Sequence, residues 1–116
     1  MMKNYTKTAR AHFIFATAYA LPCLALLTAG SLLGKEIAWQ LPAGVAALSA
    51  AHGLLGWGAS LAKNWARILT LALALPALLA VPLGTLVAIQ LISYCWLEWN
   101  DRDAFRALHG IPATAK

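Results

Sequence analysis

Residues Ile68 to Leu97 read ILTLALALPALLAVPLGTLVAIQLISYCWL, a run of 30 residues without a single charge. As one helix the run would measure about 45 Å, well beyond the hydrocarbon core of a bilayer at about 30 Å. Val81-Pro82-Leu83-Gly84 lies in its middle and supplies turn chemistry, because proline fixes its own φ and glycine permits a positive one. Splitting the run there predicts two spans, 65–81 and 83–99. Each would cover about 25 Å, short of the full core but within what local thinning and aromatic anchors tolerate. A re-entrant hairpin around Pro82 is the competing reading.

Two more apolar runs precede this one. Phe13 to Leu33 has 21 residues and no charge, a length that matches the hydrocarbon core. Lys3, Lys7 and Arg10 stand before it, as in a signal peptide, but the run exceeds the roughly 7–15 residues of a typical signal core. Leu27-Thr28-Ala29 is a poor cleavage signal, so the run is read as an uncleaved span. The next run covers residues 41–62, with Pro42 in its first turn, where a missing N–H costs nothing, and Trp39 just ahead of it. Charge then decides the number of crossings. With four spans, Lys3, Lys7, Arg10, Lys63, Arg67, Arg102, Arg106 and Lys116 share one side and only Lys35 lies on the other. With three, the last three cations would fall outside, against the positive-inside bias. The expectation is an all-α, polytopic integral membrane protein of four transmembrane helices, arranged as two helical hairpins in one domain. It would sit in a membrane with both termini cytoplasmic.

Composition points the same way. Of the 116 residues 61% are hydrophobic and 11% charged, against about 25% charged in a soluble domain. The net charge of +5 is spread over short segments beside apolar runs, not gathered into a patch, so the partner expected is the lipid bilayer and not nucleic acid. Two cysteines without repeat spacing exclude a disulfide framework and a Cys-based zinc pattern. From Asn100 the tail reads as a short cytoplasmic helix, with Asp103 in capping-box position and a stop at Gly110 and Pro112. A frayed, solvated tail is the alternative.

From Lys63 to Thr85 the chain carries Lys63-Asn64-Trp65-Ala66-Arg67-Ile68-Leu69, an apolar helix, and Pro82-Leu83-Gly84-Thr85. This resembles a group of small uncharacterised bacterial four-span membrane proteins, which pair a Trp-Ala-Arg opening with a Pro-x-Gly-Thr hairpin turn. Members often continue with Gly-Ile-Tyr, where this chain has Ala88-Ile89-Gln90. The resemblance implies the hairpin and brings no chemistry with it. Independently of any family, Trp39, Trp65, Trp96 and Trp99 suit interface anchors, and Arg67 is placed to snorkel toward headgroup phosphates.

No Asp, Glu, Lys or Arg lies deep in a span, which counts against an ion-coupled transporter. Counting from the span ends puts Cys23, His52 and Gln90 at similar depth, with Tyr19 and Tyr94 about one turn away and Ser49 on the face of His52. These six residues form a candidate polar layer, serving either as hydrogen-bonded glue between helices or as a binding or permeation site. His12, at the inner end of the first span, falls roughly 15 Å from His52 by helix rise, too far to share an iron. No cofactor and no metal site is therefore expected. Gly30 and Gly34 form a GxxxG pair, and Gly53 and Gly56 continue a small-residue face on the second span, both suited to close helix packing.

Three functions compete. An accessory or assembly subunit without enzymatic activity, held in a larger membrane complex or a homo-oligomer, suits the short loops and small-residue faces. An oligomeric channel or small-solute transporter would use the polar layer. An enzyme would have to rely on Glu36, or on Glu98, Asp101 and Asp103 beside Arg102, which read more simply as a solvated helix start.

Overall fold

The computed structural model describes residues 2–96 and Trp99. Among the described residues it contains four helices and no strand: α1 Asn4–Leu33, α2 Gln40–Ser60, α3 Asn64–Ala77 and α4 Leu83–Trp96. The tail helix expected from Asn100, and the Glu98, Asp101, Arg102 and Asp103 cluster, lie outside the described residues.

The first helix begins nine residues before the apolar run, at Asn4 instead of Phe13. No breaker separates the two, and backbone hydrogen bonding continues through charged residues as readily as through leucine. Helix boundaries and the boundaries of an apolar run are set by different forces. At its other end α1 stops at Gly34, whose φ of 58° is left-handed. The Lys35 N–H then reaches back to the Gly30 carbonyl at 3.2 Å, closing a Schellman turn. This corrects the helix-packing role expected of Gly30 and Gly34. Their four-residue spacing ends a helix, and the neighbour of Gly30 is Ile37 of the following connector.

That connector shifts the register of the first hairpin. Ile37 packs back on Gly30, and the Cys23 thiol donates to the Pro42 carbonyl at 3.4 Å. The chain has thus returned along α1 before α2 begins, and the last turns of α1 overhang. Further along the same seam Ser49 Oγ donates to the Ala16 carbonyl at 2.7 Å.

α2 ends in a second Schellman turn. Lys63 N–H bonds to the Gly58 carbonyl (3.0 Å) and Ala62 N–H to the Ala59 carbonyl (2.9 Å), with Ala62 at a φ of 53°. Gly58 admits the Trp65 ring and the Ala66 methyl, which a Cβ at this position would strike. The second hairpin breaks near Pro82 as the sequence suggests, but α3 stops four residues before the expected end of its span at Val81. α3 ends at Ala77 and α4 starts at Leu83, each helix 14 residues and so about 21 Å long. The turn is closed by Thr85 Oγ1 donating to the Leu78 carbonyl at 2.7 Å, and Gly84 leaves room for the Ala77 carbonyl and the Ala80 methyl.

The two hairpins meet at one end of the bundle. There Ala9, Ala59, Ala66, Cys95 and Trp99 form a buried cluster from all four helices and the residue beyond them. A second cluster, of Ala74, Ala88 and Leu91, holds α3 to α4. Outside, the surface is apolar: Leu21, Leu24, Leu75, Leu86 and Ile89 each expose more than half their area. Among the described residues one helix, α1, is long and apolar enough to cross a membrane, and none of its most apolar 18-residue window is buried.

Candidate functional site

The polar interior is centred on a pair of histidines that sequence counting held apart. His12 Nδ1 and His52 Nδ1 are 2.9 Å apart, which corrects the separation of roughly 15 Å expected from helix rise. The register shift is the cause. His12 lies about six turns before the end of α1 and His52 only about three turns after the start of α2. The returning connector removes the difference of about 13 Å, so the two rings come level.

On its other side, His12 Nε2 is 2.8 Å from Thr70 Oγ1, and Thr70 Oγ1 is 2.7 Å from the Ala66 carbonyl. A threonine hydroxyl carries one hydrogen, and a carbonyl only accepts. Thr70 therefore donates to Ala66 and accepts from His12 Nε2–H. With two neutral rings, His12 Nδ1 then accepts from His52 Nδ1–H. The result is a ladder with one direction, from His52 through His12 and Thr70 into the α3 backbone. Tyr19 stacks on the His52 ring at 5.6 Å with a 19° interplanar angle, and the Phe15 ring lies 5.3 Å away. His12 and Thr70 are buried, His52 half-buried.

The expected six-residue layer is only partly assembled. Tyr19 joins His52, while Ser49 and Cys23 lie farther along the α1–α2 seam, each bonded to the facing backbone. Gln90 is exposed and makes no hydrogen bond to His52. Tyr94 is half-buried at the other end of α4, with Lys7 Nζ 5.2 Å from its ring centroid. Equal depth along separate helices says nothing about rotation around them, which is why Gln90 was misplaced. Thr70 and His12 were missed because each looked ordinary alone: a hydroxyl in an apolar run and a histidine beside a basic end.

A second polar contact ties α3 to α4. Arg67, fully buried, donates through Nε to the Cys95 carbonyl, and its guanidinium lies 5.8 Å from the centroid of the Trp99 ring. Trp99 is itself buried, and its Nε1 donates to the Ala62 carbonyl at 3.3 Å. These contacts correct two of the interface anchors. Arg67 and Trp99 turn into the bundle, whereas Trp39 and Trp96 remain well exposed and Trp65 packs over Gly58. They also place a cation inside the protein, where the sequence suggested none. Beside them Thr8 Oγ1 and Cys95 Sγ are 3.9 Å apart, and both cysteines are free thiols. Of the remaining small-residue positions, Gly56 faces the Phe13 ring, while Gly53 has open space around it.

No protein family, curated protein or solved structure matches the chain.

Proposed function

We propose that this chain is a four-span protein of the bacterial inner membrane, with both termini cytoplasmic, acting as a non-enzymatic accessory or assembly subunit of a larger membrane complex. The observation that carries the reading is how the interior polar groups are used. Ser49, Cys23, Thr85 and Trp99 each bond to backbone across an element boundary, and His12 bonds to two other helices. Polar chemistry committed in this way holds helices together and leaves little for bond making.

The membrane part of the reading rests on the outer surface. Large aliphatic side chains are exposed on all four helices. The exposed hydroxyls of Thr17, Thr28, Ser60 and Ser93 donate to carbonyls three or four residues back in their own helices. Groups facing lipid have no water to bond and must be satisfied in this manner. The short α3–α4 hairpin would cross a locally thinned bilayer. Being a hairpin, it returns the chain to the side it left, so the cytoplasmic placement of both termini follows equally if the hairpin is re-entrant.

Native mass spectrometry of the tagged protein, extracted gently from its own membranes, tests the function. A stoichiometric heterologous partner is the expected result. A lone monomer, together with a deletion that alters no membrane complex, would sink the proposal.

A further inference from the structure

The histidine ladder has a consequence at its open end. Thr70 spends its one hydrogen on Ala66, so the direction of every bond above it is set, and His52 holds its proton on Nδ1. Its other ring nitrogen, Nε2, is then a bare acceptor, and it bonds to no described residue. His52 also lines a cavity of about 310 Å³ between the four helices. The far walls are apolar, formed by Leu73, Ala77, Val87 and Leu91, with Phe15 and Tyr19 close to the histidine. The volume falls in the range of small-molecule sites. Space exists because α3 and α4 present alanine and glycine there, at Ala74, Ala77, Ala88 and Gly84.

A largely apolar chamber with an open ring acceptor beside the Tyr19 hydroxyl selects its occupant. A cation would be buried without a counter-charge, and a carboxylate would meet a lone pair. A ketone or ether brings a second acceptor and leaves Nε2 unsatisfied. A neutral, apolar molecule with one hydroxyl fits both features, and the neighbouring aromatic rings favour a flat one. We propose that this cavity binds a small, flat aromatic molecule of the phenol class, whose single hydroxyl donates to His52 Nε2.

The test uses the full chain in phosphatidylcholine nanodiscs, with empty nanodiscs subtracted, and two probes of nearly the same shape. The first, 2-naphthol, carries the donor and 2-methoxynaphthalene lacks it. Saturable binding of 2-naphthol, about tenfold tighter than the methyl ether, is the expected result. Equal affinities would mean a chamber for any apolar group, an acyl chain included, and would overturn the proposal, as would no saturable binding of either probe. Thr70→Val then tests the ladder. With the hydroxyl gone the direction is no longer imposed, and the preference for 2-naphthol should fall severalfold while helicity by circular dichroism is retained. A folded Thr70→Val protein with its preference intact would overturn the ladder as the source of selectivity. If that variant does not fold, the two-probe comparison on the unaltered protein decides alone.

Discussion

At the residue scale, two glycines of α2 separate close packing from open space. Gly58 is in contact with the Trp65 ring and the Ala66 methyl, whereas a methyl at Gly53 would touch nothing. Gly58→Ala should therefore destabilise the protein by about 1–3 kcal/mol through overpacking. Gly53→Ala should be neutral or stabilising by up to about 1 kcal/mol, since alanine loses less backbone entropy in a helix. Denaturation in mixed micelles, followed by circular dichroism, measures both. Arg67 allows a second comparison. Its planar head lies against Trp99 while Nε reaches the Cys95 carbonyl, a division of labour that a lysine ammonium cannot reproduce. Arg67→Lys, although it keeps the charge, should cost about 1–3 kcal/mol in the same assay. A change near zero would mean that the guanidinium geometry is dispensable.

At the element scale, two helix ends share the outer hydrogen bond of a Schellman turn, Lys35 to Gly30 and Lys63 to Gly58, with different residues at the left-handed position. α1 uses Gly34 and α2 uses Ala62. An L side chain in that region is strained by roughly 1 kcal/mol or more. Ala62→Gly should accordingly raise stability by about 1 kcal/mol, and Gly34→Ala should lower it by a similar amount. Opposite signs at two equivalent positions would be hard to obtain from any other cause, and thermal melts of both variants give the answer. A hairpin break at Pro82 was legible in the sequence, because proline and glycine act locally, but the end of α3 at Ala77 was not. The Schellman role of Gly30 and Gly34 was not, since a four-residue glycine spacing serves helix ends and helix seams alike.

At the scale of the whole molecule, the basic residues Lys3, Lys7, Arg10 and Lys63 belong to the end where α1 starts and α2 stops, and Lys35 to the opposite end. Under the proposed topology, single cysteines at Lys63 and Lys35, in a background without Cys23 and Cys95, should react with a membrane-impermeant maleimide from opposite faces. Lys35→Cys should label in intact spheroplasts and Lys63→Cys only after lysis. Labelling of both from one side would remove the crossing by α2 and with it the four-span arrangement.

What the sequence determined by itself was the helical class, the places where helices break and the apolar exterior. All three depend on local properties: run length, turn residues and the distribution of charge. What only the tertiary structure decided was which residues meet. His12 reaches His52 because the connector after Gly34 returns along α1 and shifts the register by about 13 Å, a distance no count along either helix contains. Gln90 leaves the polar layer, and Arg67 and Trp99 enter the core, because rotation about a helix axis is set by packing against neighbours. In a chain whose inside and outside are both apolar, hydrophobic periodicity cannot reveal that rotation.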